Sequence, residues 1–117
     1  MRHNFLNLEI WKRSRHLVKQ IYLVSKCFPN EEKFGLTSQI RRAAVSVPSN
    51  ISEGCGRGTD AQLKHFLDVT IASLCELETQ IYLSHDLEYL SSKVTDELIN
   101  EIIQIRKMTM GFQNGLK

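Results

Sequence analysis

A proline stands inside a helical pattern at Pro48, and an alternating glycine turn follows it directly. The segment Ile40 to Thr59 reads IRRAAVSVPSNISEGCGRGT. Proline removes one backbone hydrogen bond and costs on the order of 3 kcal/mol in a helix interior. A chain keeps such a residue only where packing around it offsets that cost. The carbonyl of Ala44, which would pair with the missing amide, needs another donor, such as water, Ser49 or a neighbouring helix. A kink at this point would re-aim the second half of the helix.

The helical period extends through the rest of the chain, and no strand-like alternation is sustained. The first helix is expected from about Leu8 to Cys27, with Ile10, Trp11, Ser14, Leu17, Val18, Ile21, Tyr22 and Ser25 forming one stripe. Lys12, Lys19 and Lys26 fall seven apart and form a basic line on another face. Phe28-Pro29 ends that helix, because the residue before a proline is pushed out of the helical region. The second helix opens near Gly35 and turns Leu36, Ile40, Ala43, Ala44, Val47 and Ile51 inward. Its end is expected at Gly54 in a left-handed cap. Thr59 and Gln62 have capping-box spacing and start a third helix, about Asp60 to Leu87, whose inward residues run from Leu63 to Leu87. Ser91 or Ser92 caps a fourth, carrying Val94, Leu98, Ile102, Ile105, Met108 and Phe112. Short connections make sequential helices antiparallel neighbours. The expected fold is all-α: an up-down-up-down antiparallel four-helix bundle with a Pro-kinked second helix, in one domain over residues 1–117.

Composition excludes several classes. No apolar run approaches the ~20 residues of a membrane span, and the N-terminus lacks the apolar centre and cleavage site of a signal peptide. A cytoplasmic protein without a membrane role is expected. Cys27, Cys55 and Cys75 are odd in number and not closely paired, so they read as reduced thiols. The net charge of +2 hides an asymmetry: residues 1–27 carry +5 and residues 59–93 carry −4. Either antiparallel neighbours attract one another, or a basic face awaits an anionic partner.

Candidate chemistry is sparse. A di-metal centre needs Glu-x-x-His on two helices, yet Arg13, Gln62 and Tyr82 stand three before His16, His65 and His85. No metal, cofactor or small-molecule substrate is expected. Cys55 lies between glycines near Arg57 and a helix N-terminus, surroundings that lower a thiol pKa. No His or Asp adjoins it to act as base, so a small residue in a tight turn is the stronger reading. The loop Gly54-Cys55-Gly56-Arg57-Gly58 lacks the preceding strand and Gly-Lys-Ser/Thr of a nucleotide loop. Arg41 and Arg42 point about 100° apart on a helix. One is expected to form a partly buried bidentate pair with Glu53, Glu76 or Glu78; otherwise both join Lys12, Lys19 and Arg57 in a phosphate-binding patch. Asn50 is expected to face the interior or an interface.

Trp11, Phe28-Pro29, Glu32, the run from Gly35 through Arg41-Arg42-Ala43-Ala44 to Val47-Pro48-Ser49-Asn50-Ile51-Ser52-Glu53-Gly54, and Ser73 to Thr79 with Tyr82 together carry a resemblance. The chain resembles the bacterial four-helix bundle proteins called 23S rRNA intervening-sequence proteins, and is distantly similar to the accessory protein of diversity-generating retroelements. It departs from them at Ser52, where relatives often have Ala, and at Arg15. The resemblance implies a non-catalytic protomer in a homopentameric ring, associated with RNA or an RNA-handling protein. Nucleic-acid contact is expected at Lys12, Arg13, Lys19, Arg41, Arg42 and Arg57. Structural or interface roles are expected for Trp11, Pro48, Asn50, Gly54 and Glu76. A protein-interaction scaffold without nucleic-acid contact is the alternative, and an enzyme built on Cys55 a weaker third.

Overall fold

The computed structural model describes residues 3–117, and within them four helices follow one another with short breaks. They are α1 (Glu9–Ser25), α2 (Leu36–Cys55), α3 (Asp60–Asp86) and α4 (Ser92–Asn114). Each packs on its sequence neighbour, and α1 closes the bundle against α4, which leaves α1 diagonal to α3 and α2 diagonal to α4. This is the expected up-down-up-down arrangement, and the described residues contain no strand. The molecule measures 44 × 24 × 20 Å.

Three of the four helices, α2, α3 and α4, start where a side chain replaces a missing backbone partner. Thr59 Oγ1 accepts the Gln62 amide at 3.2 Å, and Ser91 Oγ accepts that of Val94 at 3.2 Å. Gly35 has no side chain to cap α2. Glu32 does so instead, accepting the Leu36 amide at 3.1 Å, while its other carboxylate oxygen accepts the Tyr89 hydroxyl at 2.9 Å. One carboxylate thus caps α2 and ties it to the α3–α4 turn.

The core holds the apolar stripes read from the period: Leu17 and Ile21 from α1, Ile40, Val47 and Ile51 from α2, Leu67, Leu74, Leu77 and Ile81 from α3, and Ile102 and Ile105 from α4. Each such Leu or Ile stabilises the fold by roughly 1.5–3 kcal/mol. Four buried hydroxyls are paired within their own helices. Ser14, Thr70, Ser84 and Thr109 each donate to the carbonyl four residues back. Tyr22 and Leu87 depart from expectation and are exposed, because each lies at the edge of its stripe where a helix nears its end.

Two expectations about α2 need correction. Gly54 does not end it in a left-handed conformation: no described glycine has positive φ, and the helix continues to Cys55 with Gly56 as its cap at φ −79°. Gly54 serves a different purpose. A Cβ there would lie 2.8 Å from Leu63 Cδ1 and 2.8 Å from Phe66 Cβ, so its absence lets α2 and α3 approach closely where they meet the turn. Pro48 lies within α2, which continues as one element on both sides of it. Asn50 is half-buried and donates from Nδ2 to the Ser46 carbonyl of its own helix at 2.7 Å, bracketing the proline.

Candidate nucleic-acid interface

The sequence places cations at many positions, and the fold divides them into committed and uncommitted groups. Arg13 points toward α4, not outward. Its Nε donates to Glu101 Oε2 at 3.0 Å and its Nη2 to Glu101 Oε1, while Nη1 meets Met108 Sδ at 3.2 Å. The hydrogen bond to Glu101 raises its pKa. Arg106 of α4 likewise donates to Glu78 of α3 at 2.6 Å, and that bond raises its pKa. These two pairs join α4 to both of its neighbours.

The outer face of α1 is different. Lys12, Arg15, His16 and Lys19, with Lys26 at the C-cap, are all exposed there, and among the described residues no ion pair involves them. Trp11 is half-buried, its ring edge-on to Phe5 with centroids 5.1 Å apart; the Arg15 guanidinium lies 5.5 Å from its centroid. The acidic third segment leaves this face uncompensated, because α1 and α3 occupy opposite corners of the bundle. The two helices are thus not packed neighbours, and the basic face of α1 stays open to solvent; the basic and acidic segments meet beyond α1, where His3 Nε2 lies 3.5 Å from Asp60 Oδ1.

Neither Arg41 nor Arg42 forms the expected carboxylate pair. Glu53 is taken by Arg57 at 3.3 Å and Glu78 by Arg106. Glu76 is exposed, accepts from Gln80 Nε2 at 3.2 Å, and lines a cleft with Arg42 without an ion pair between them. The 100° offset between adjacent residues turns Arg41 toward the end of α1. There Nε donates to Ser25 Oγ at 2.8 Å, Nη2 reaches the Tyr22 carbonyl at 3.5 Å, and the guanidinium lies 4.7 Å from the Tyr22 ring centroid. The last carbonyls of a helix attract a cation, which accounts for this placement. Arg42 is exposed and has no acidic partner among the described residues.

Arg57 lies at the far end of α2, roughly 20 Å along the helix from Arg42. Its guanidinium sits 4.8 Å from the Phe66 ring centroid. The neighbouring turn does not cradle an anion with its amides: Gly56 donates to Ser52 and Glu53, and Arg57 to Gly54, each at 3.1 Å. Cys55 is buried, and burial pushes its thiol pKa up instead of down, which removes the basis for a reactive nucleophile there. The six expected contact residues thus separate into Lys12 and Lys19 on one face, Arg41 and Arg42 at one end, Arg57 at the other end, and Arg13 bound to Glu101. Sequence reasoning missed Lys33 and Phe34, which stand exposed beside Arg41 and Arg42. An aromatic residue in a short turn without helical period around it gives no signal of its exposure.

The family model for the 23S rRNA-intervening sequence protein matches residues 6–111, nearly the full bundle. The chain belongs to that family. A search of curated proteins gives no match. Among solved structures, the chain is similar to a protein of unknown function from the S23 ribosomal protein family of Bacteroides thetaiotaomicron VPI-5482. The TM-score is 0.82 at 23% identity, over 89% of this chain and 97% of that one. That likeness establishes the four-helix fold. No helix of the described residues is long and apolar enough to cross a membrane.

Proposed function

We propose that this intervening-sequence protein is a non-catalytic RNA-binding module that works as a homo-oligomer. The observation carrying the proposal is the outer face of α1, where Lys12, Arg15, Lys19 and Lys26 are exposed without an acidic partner among the described residues, while Arg13 and Arg106 are spent on carboxylates. Phosphates are the ligands such a face suits, and each neutralised phosphate releases counterions and adds affinity. With a net charge of only +2 per chain, one copy binds weakly. Repetition around a ring raises avidity without any new contact. The ring of five and a bend at Pro48 that shapes its contacts are part of the same proposal, as is a cytoplasmic location beside its RNA.

The test is charge reversal. Lys12→Glu with Lys19→Glu is expected to abolish binding to a structured ribosomal RNA fragment while leaving sedimentation unchanged. Unaltered RNA binding by that variant would favour the scaffold reading, in which the exposed face receives a protein. Pro48→Ala is expected to change the sedimentation of the oligomer while the helical content is retained.

A further inference from the structure

Phe34 is 90% exposed, the most exposed large apolar side chain among the described residues. It stands in the α1–α2 turn, just before the glycine at which α2 begins. The ring lies outside the hydrophobic core, and Lys33 Nζ lies 5.5 Å from its centroid. Beside it lies a groove of about 550 Å³ between α1 and α2. Tyr22 and Val45, 41% and 40% exposed, supply its apolar surface, and Lys33, Arg41 and Arg42 its charge. No acidic residue lines it. The Arg41 guanidinium lies 4.7 Å from the Tyr22 ring centroid and donates from Nε to Ser25 Oγ, so one wall is a preformed guanidinium–phenol contact.

We infer that this groove binds unpaired nucleotides of RNA, with a base stacked on Phe34 and the flanking phosphates held by Lys33 and Arg42. The inference rests on the RNA-binding reading above and narrows it to single-stranded or loop segments. Aromatic faces and arginine planes stack on bases that are splayed out of a helix, and cations alongside track the backbone. A duplex has no use for an exposed ring, because its bases are already stacked on one another and present phosphates, 2′-hydroxyls and base edges outward instead of base faces. Within the groove a protein partner of ordinary composition would meet three cations and no acid; the carboxylate of Glu76 lines the adjoining cleft, which shares Phe34 and Arg42. A polyanion is complementary to that charge.

The experiment compares wild type and Phe34→Ala, whose exposed position leaves folding intact. The probes are a 12-nucleotide single-stranded RNA carrying one 2-aminopurine and a 12-base-pair RNA duplex. Wild type is expected to change the 2-aminopurine fluorescence on binding. Phe34→Ala is expected to lose that change and to bind the single strand roughly tenfold more weakly, with duplex binding unaltered. Equal weakening on both probes, or none on either, would overturn the inference while leaving RNA binding in place. Absence of binding to both probes by wild type would overturn the broader reading along with it. A change of sedimentation in Phe34→Ala with full single-strand affinity would assign the ring to a contact between copies and reject the stacking role.

Discussion

The guanidinium of Arg41 lies 4.7 Å from the ring centroid of Tyr22, with its Nε hydrogen-bonded to Ser25. Arg42, one residue on, has no such attachment. Two adjacent arginines therefore differ in role because 100° of helical rotation gives one of them the end of α1 and the other open solvent. Arg41→Met is expected to lower stability by about 1–2 kcal/mol, through the lost charged hydrogen bond and the ring contact. Arg42→Met is expected to stay within about 0.5 kcal/mol of wild type. Urea unfolding of the two variants checks the difference.

Gly54 marks a close approach of α2 to α3. Gly54→Ala forces a Cβ to within 2.8 Å of Leu63 and Phe66, and neither Leu63 Cδ1, held in the core, nor Phe66 Cβ, fixed to its backbone, can withdraw freely. A loss of about 1–3 kcal/mol is expected. Gly58→Ala, with no atom within 4 Å of the added carbon, serves as the control and should unfold at nearly the wild-type temperature.

Glu88 is the one described non-glycine residue with positive φ, at 65°. It closes α3 in a double turn, in which Tyr89 donates to the Ser84 carbonyl at 2.8 Å and Glu88 to that of His85 at 2.9 Å. A left-handed residue with a Cβ costs roughly 1–2 kcal/mol, part of which glycine returns as unfolded-state entropy. Glu88→Gly is expected to raise stability by about 0.5–1 kcal/mol in thermal unfolding.

The three thiols should separate kinetically. Cys27 and Cys75 are exposed and Cys55 is buried. A thiol reagent at neutral pH is expected to modify two groups at once and the third only as the protein opens. Burial raises the Cys55 pKa above its ordinary 9.0, and the hydrogen bond to Glu32 raises that of Tyr89 above 10.0. For a group whose folded pKa is raised, the contribution to stability is intact below the unfolded value and is lost as pH rises through the folded one. Unfolding midpoints are therefore expected to fall as the solution is taken above about pH 9, and a flat profile there would contradict both assignments.

Much of this fold is legible in the sequence because helical period and caps are local signals. The stripe from Leu63 to Ile81 and the Thr59 cap are in this class. Relations across the chain are not local. Arg13 and Glu101 are 88 positions apart, and nothing in the residues around Arg13 distinguishes it from Lys12. Gly54 has the sequence context of a cap, and only the position of α3 gives it a different purpose. The same limit applies to the candidate interface. Which cations remain unpaired depends on which acids the bundle carries to them, and that follows from helix order.

The most direct measurement of the central claim is the affinity of the assembled protein for a labelled structured RNA across a series of salt concentrations. The account predicts binding at about 50 mM salt that weakens linearly in a double-logarithmic plot, with a shallower slope for Lys12→Glu/Lys19→Glu. No binding at that concentration, or an affinity indifferent to salt, would contradict it.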